Sequence, residues 1–232
     1  MPKPVYPTKE GLWSKGKRKE EAYKDVQFGT PYPEAVENFR KAIEGRDDFD
    51  PAALFIWGTM QSKAVLNILN EAEETFGKEG QEMVRRAINR AGREAMKGLL
   101  DNSCFPEYVD EMERLSYILT GINTILYASL ERPWIVSSDR CEFDILWCPH
   151  QDSYTAFDCR VQRYFVEGMI QEMEERGYGQ VTGWVEKLIN RGGECCHFVF
   201  ERRKGEGDKV NPWYAYSDKL GERALKMKGK VD

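Results

Sequence analysis

The sequence predicts an α+β domain, and three observations carry that expectation. Apolar residues recur at three-to-four-residue spacing through most of the first half, short alternating runs appear twice in the second half, and one helical stretch separates the two runs. The expected architecture is an N-terminal helical layer packed on a small antiparallel sheet made of two hairpins with an intervening helix. A chain of 232 residues is long enough to build such a domain without a disulfide staple.

Residues 1–30 carry Pro2, Pro4, Pro7 and the run Lys15-Gly16-Lys17-Arg18-Lys19 with little periodicity, which reads as an extended arm with a solvated basic surface. The α+β domain is expected over 31–204. Asp50-Pro51 supplies an N-cap and a first-turn proline, and Leu54, Trp57, Ala64, Val65, Ile68, Leu69 and Ala72 then recur on a helix that Gly77 stops. A second amphipathic helix over 79–100 buries Met83, Ala87, Ile88, Ala91, Ala95 and Leu99, and a third over 107–128 buries Val109, Met112, Leu115, Leu119, Ile122 and Leu126.

The period changes at Pro133. Trp134-Ile135-Val136 and Cys141 to Trp147 read as an antiparallel pair joined by Ser137-Ser138-Asp139-Arg140, with Cys141, Phe143, Ile145 and Trp147 on one face and Glu142, Asp144 and Leu146 on the other. Residues 157–176 return to helix, with Cys159 in the first turn, where the helix N-terminus can depress a thiol pKa if it faces an open cleft. Trp184 to Ile189 and Cys195 to Glu201 form the second hairpin around Gly192-Gly193. Alternation turns Cys196 toward the side of Phe198 and Phe200, and Cys195 toward the side of His197. Residues 205–232 read as a loop followed by a short terminal helix with a frayed end.

Composition narrows the classes of function. A net charge of −5 and a pI near 5.4 provide no basic field for nucleic acid, and no apolar run approaches the roughly 18 residues needed to span a bilayer. The N-terminus has no hydrophobic h-region, so a reducing cytoplasm is the expected location and the six cysteines are expected as free thiols. Five of those cysteines and both histidines fall between residues 141 and 197, which places the chemistry there.

Several of these elements carry a resemblance. The helical first half, the Cys141-x-Phe143-Asp144-Ile145-Leu146 strand, Cys159 at the head of the next helix and the final Gly193-x-x-Cys196-x-Phe198 strand resemble the L-2-amino-thiazoline-4-carboxylic acid hydrolase family, which is similar in outline to vinyl-reductase-type ligand-binding domains. The chain departs from that pattern at Gln162 and Arg163, where the family has an acidic residue after the helix cysteine. The resemblance implies a hydrolase that opens a small heterocyclic or cyclic amide- or amidine-like compound by adding water at a C=N or C=O carbon. It points to Cys159 as thiolate nucleophile or water-activating group, Cys196 and Cys141 as site-lining partners, and Asp144, Glu194 or His197 as proton carriers. Core packing is the competing use of Cys141 and Cys196, and a satisfied structural role is that of His197.

Two other readings compete. Cys148, His150, Cys159 and His197, with Cys195 nearby, offer the sulfur and nitrogen donors zinc prefers, and the cysteine count also admits an iron–sulfur cluster. No Cys-x-x-Cys or His-Glu-x-x-His pattern is present, so no metal is expected, and no glycine-rich fingerprint suggests a nucleotide. A non-enzymatic small-ligand-binding or sensor domain is the third reading. The carboxylates close in sequence to the thiols (Asp139, Asp144, Asp152, Asp158 and Glu194) favour the enzyme. The expected partner is a small-molecule substrate, with neither nucleic acid nor membrane, and the chain is compatible with a homo-oligomer.

Overall fold

The computed structural model describes residues 25–178, 180–203 and 211–231. Helices α1 (Pro33–Ile43), α2 (Ala52–Asn102) and α3 (Glu111–Gly121) come first, and α3 runs on into a π-helical turn, Ile122–Leu126. Strands β1 (Leu130–Ser137) and β2 (Arg140–Trp147) follow, then α4 (Arg160–Glu175), β3 (Val181–Lys187), a 3-10 turn (Ile189–Arg191), β4 (Cys196–Arg202) and α5 (Pro212–Met227). The fold is α+β, with helices preceding a four-stranded antiparallel sheet of order β1-β2-β4-β3, so two hairpins lie side by side and join through β2 and β4.

Local chemistry explains the boundaries. The Asp110 carboxylate accepts from the Glu113 N–H to start α3, and the Asn211 side chain accepts from Trp213 N–H ahead of Pro212 to start α5. Gly77 leaves helical geometry at φ 59° and ψ −133°, so α2 contains the break expected there while continuing beyond it to Asn102. Pro133 lies in β1, an edge strand, the place in a sheet where proline is tolerated.

One face of the sheet meets the helices. Ile135, Cys141, Phe143, Ile145, Val181 and Phe200 pack with Met96 and Leu99 of α2, Leu115 and Ile118 of α3, and Met169 and Met173 of α4. Phe143 stacks on Phe198 and Phe200 at centroid distances of 4.8 and 5.8 Å, as their cross-strand positions require.

Helix α4 lies against α2 at backbone contact. A Cβ added at Gly92 of α2 would fall 2.0 Å from Phe165 O, and one at Gly168 of α4 would fall 1.9 Å from Asn89 O. Arg160, with 1% of its surface exposed, pairs with the fully buried Glu73 at 3.0 Å and also donates to Asn70 Oδ1 at 2.9 Å. Arg85 grips Glu167 through two hydrogen bonds of 2.9 and 3.0 Å. Gln81 extends this polar seam by donating to Glu73 and to the Gly221 carbonyl of α5.

The ends differ from the expected loose segments wherever they are described. Residues 1–24 lie outside the described residues, but Val26 and Phe28 are buried with Val109 and Tyr117, and Gln27 bridges Cys104. Much of the glycine- and lysine-rich loop (204–210) is likewise outside them. The terminal helix is docked rather than frayed: Ala224 and Leu225 are buried, and Lys228 Nζ donates to Asn70 O at 3.2 Å and to Glu74 at 2.7 Å. Gly168→Ala is expected to destabilise the fold by about 2 kcal/mol or more through overpacking. Gly58→Ala, in a helix with open space around the added methyl, is expected to stabilise it by about 0.5–1 kcal/mol. Urea denaturation midpoints of the two variants check both signs.

Candidate functional site

Strands β2 and β4 present different chemistry on their two faces. On the face away from the helices, the register sets Arg132 of β1, Asp144 of β2 and His197 of β4 in one row across three strands. The next row is Trp134, Glu142, Val199 and Trp184. Two of the sequence-derived residues, Asp144 and His197, therefore meet directly.

Asp144 is the hub of that row. His197 Nδ1 lies 2.8 Å from its Oδ1, Arg132 Nη2 donates to Oδ2 at 2.6 Å, and the Cys195 thiol donates to Oδ1 at 3.3 Å. Burial works against the carboxylate, but the hydrogen bonds from Arg132, His197 and Cys195 outweigh it and hold the Asp144 pKa below the usual aspartate value. An ionised Asp144 only accepts, so His197 Nδ1 carries the proton of that contact. The same contact makes Cys195 a donor. Burial and the Asp144 carboxylate both raise its pKa, which keeps it a neutral thiol.

Nε2 of His197 points toward two further carboxylates, at 3.6 Å from Glu142 Oε2 and 3.7 Å from Glu186 Oε2, beyond direct hydrogen bonding. Their other oxygens are engaged: Arg140 Nε donates to Glu142 Oε1 at 2.6 Å, and Trp184 Nε1 to Glu186 Oε1 at 3.1 Å. Trp134 stacks on the imidazole at 5.6 Å and 23°. The arrangement is a histidine oriented by one carboxylate through Nδ1, with Nε2 turned toward two further carboxylates and an aromatic wall beside the ring. Such a group takes and returns protons.

The opposite face gathers thiols. Cys148 just beyond β2, Cys159 at the N-cap of α4 and Cys196 at the start of β4 draw together: Cys148 and Cys196 both act on Cys159, and Cys196 acts on Cys148. Ile189 N–H donates to Cys196 Sγ at 3.3 Å, and Asn190 Nδ2 reaches Cys159 Sγ at 3.8 Å. The expectation of a depressed Cys159 pKa is reversed. Burial, followed by the neighbouring Cys148, Cys196 and Asp158, pushes it up to about 12, so desolvation outweighs the helix N-terminus. Burial lifts Cys148 and Cys196 as well.

The remaining sequence-derived residues lie apart. Cys141 shares the thiol face but pairs with Phe200, four residues along β2 from the Ile145–Cys196 pair, a separation of roughly 13 Å at strand rise. It is 1% exposed among Phe143 and Phe200, a packing position. Glu194 stands exposed in the connection before β4. His150 stacks on Tyr154 at 4.8 Å, and burial lowers its pKa. The set Cys148, His150, Cys159 and His197 does not assemble, because His197 is across the sheet from the thiols. Among the described residues, no group of three or more His, Cys, Asp or Glu side chains is placed to hold a metal ion. Two hollows of about 30 and 240 Å³ lie near the far end of β4 among Glu111, Glu174, Gly177, Arg202 and Arg203, and none of the sequence-derived residues lines them.

An uncharacterized protein of Archaeoglobus fulgidus is 44% identical to this chain over 218 residues, which cover 91% of this chain and 95% of the archaeal one. The chain belongs to the same family. The alignment spans nearly the whole length of both members, so the helical layer, the sheet and both of its faces fall within the family relationship rather than beside it. No family model and no solved structure matches the chain.

Arg132, Glu142 and Glu186 were not singled out as site residues from sequence. Their signal was parity: each shares a strand face with Asp144 or His197 once the register is known. None of the described helices is long and apolar enough to cross a membrane.

Two outcomes follow from the titration behaviour. Alkylation by iodoacetamide near pH 8, read by peptide mass mapping, is expected to label the exposed Cys104 first, with Cys159 and Cys141 among the slowest. The folded-state pKa of Asp144 is depressed, so its stabilising contribution is present above the ordinary aspartate value of about 3.9 and is lost as pH falls through the lower folded value. Wild-type stability to urea should therefore fall more steeply in acid than that of Asp144→Asn.

Proposed function

We propose that this protein is a hydrolase that opens a small heterocyclic or cyclic amide- or amidine-like compound, with His197 as the proton carrier and Asp144 as the residue that orients it. The observation that carries this reading is the 2.8 Å contact between Asp144 Oδ1 and His197 Nδ1, which orients the ring and makes Nε2 the atom that would exchange protons with a substrate. Nε2 takes a proton from water as the oxygen adds to the C=N or C=O carbon. The same proton returns to the ring nitrogen as the carbon–nitrogen bond breaks, so the imidazole ends as it began. Glu142 and Glu186 suit a substrate that carries N–H donors or positive charge, as an amidine does, and Trp134 and Trp184 offer planar surfaces beside it. The resemblance to the L-2-amino-thiazoline-4-carboxylic acid hydrolase family supports the same reaction class. In this reading Cys159 and Cys196 remain protonated and do not attack the substrate.

A second reading draws on the other face. The convergence of Cys148, Cys159 and Cys196 favours a non-enzymatic small-ligand-binding or sensor domain whose ligand contacts the thiols. One set of assays separates the two. Ring opening of a panel of cyclic amidines and thiazolines, followed by mass spectrometry, is expected to fall about 100-fold or more in His197→Gln and to stay near wild type in Cys159→Ser. Full turnover by His197→Gln, or no reaction with any panel member, would overturn the hydrolase reading. Ligand binding lost only in Cys159→Ser would support the second.

A further inference from the structure

Arg163 of α4 carries a charge that the fold draws out of water and does not pair. Its guanidinium carbon lies 3.8 Å from the centre of the Trp213 ring and 4.6 Å from that of Tyr216, both in the first two turns of α5. Its Nε is buried without a hydrogen-bond partner, and among the described residues no carboxylate forms an ion pair with the group. Glu167, one turn along α4, gives both oxygens to Arg85, and Asp158 is held by Thr155 and Arg160. Burial pushes the Arg163 pKa down to about 10, against the opposing pull of Tyr216, Glu167 and Cys159, so the group stays charged at neutral pH. A half-buried cation of this kind is costly unless an anion meets it. Stacking supplies none, because it engages the flat face of a guanidinium and leaves the N–H donors around its edge unused.

We propose that Arg163 anchors the carboxylate of a small planar ligand on the seam between α4 and α5. The edge of the guanidinium is a planar fork that matches two carboxylate oxygens. The start of α5 adds the positive end of its dipole to the same spot. Its first N–H groups, on Trp213 and Tyr214, are already taken by Asn211, so the described surroundings offer one fork rather than the several donors a phosphate calls for. Tyr216 is 45% exposed, and its ring beside the fork gives the body of the ligand a flat surface. Trp213 is buried and holds Arg163 from the core side, its indole Nε1 donating to the Arg163 carbonyl at 3.2 Å. Helix α4 packs on the helix-bearing side of the sheet, away from the Asp144–His197 row, so this site is separate from that of the proposed reaction and does not depend on it.

Proton–nitrogen NMR titration of the full chain, read at the Trp213 indole and assigned with Trp213→Phe, tests the site with benzoate, benzamide and inorganic phosphate. Benzoate is expected to bind with a Kd of about 1 mM, ordinary for a ligand of its size, and neutral benzamide and phosphate each about tenfold or more weakly. Arg163→Gln, with unchanged circular dichroism, should lose about tenfold or more in benzoate affinity. Arg163→Lys, which keeps the charge but not the fork, should lose roughly fivefold, and Tyr216→Ala about threefold. His197→Gln should bind benzoate as the wild type does whether or not it turns over a substrate, which keeps the two readings distinguishable. The comparison of benzoate with benzamide is made on the wild-type chain and stands even if Arg163→Gln does not fold. No saturable shift with benzoate at about ten times the expected Kd overturns the proposal, as does equal binding of benzamide or benzoate affinity kept in Arg163→Gln. Tighter binding of phosphate overturns the carboxylate assignment. Binding that appears only in Glu206→Gln/Asp208→Asn gives the guanidinium to the chain's own acids and overturns the proposal as well.

Discussion

The contact between the backbones of α2 and α4 is the constraint on which the rest of this structure depends. At Gly92 and Gly168 there is no room for a methyl group on either helix, so the two axes are held at a fixed depth and rotation. That depth brings Arg160 within reach of Glu73. A buried pair of this kind is weak evidence for stability, but losing one partner leaves a charge stranded in the interior. The pair therefore reports correct docking as much as it strengthens it. Helix α4 is also the link between the two hairpins, and seating it on α2 fixes how β1–β2 and β3–β4 meet. Cys159, at its first turn, inherits its place from the same contact.

Much of the fold was legible because its signals are local. Helical spacing, the proline at 51, the turn chemistry at 137–140 and the paired glycines at 192–193 each speak for their own neighbourhood, and the helices and hairpins follow from them. Alternation also separated Cys196 from Cys195 and His197 without any tertiary information. The register between hairpins is a different kind of fact. Nothing in either strand alone says that Asp144 faces His197 rather than a neighbour two residues away, because that choice is settled by how Phe143, Phe198 and Phe200 stack beneath the sheet. The titration of Cys159 was misjudged for a related reason. A helix terminus is visible in sequence, whereas the burial that overrides it is made by residues far along the chain.

The sheet separates two chemistries that the sequence interleaves. Adjacent residues Cys195 and Cys196 serve opposite faces, one bound to the carboxylate of the charged row and the other to the thiol group. The charged face is built from pairs in which each acidic group has one oxygen committed to a cation or an N–H donor, which keeps several carboxylates near one imidazole without mutual expulsion. On the thiol face the N–H donors to Cys196 and Cys159 are outweighed by burial, and the groups stay neutral instead.

The position of β1 at the sheet edge gives that arrangement a particular sensitivity. Arg132 and Trp134, which neutralise Asp144 and cover His197, both belong to this outermost strand, which is hydrogen-bonded to β2 alone. An outer strand opens more readily than the pair at the centre. When it opens, Asp144 and His197 remain opposite each other on β2 and β4 but lose a counter-ion and a ring together. The geometry of the dyad is thus a property of the sheet's interior, whereas much of its electrostatic setting is a property of its margin.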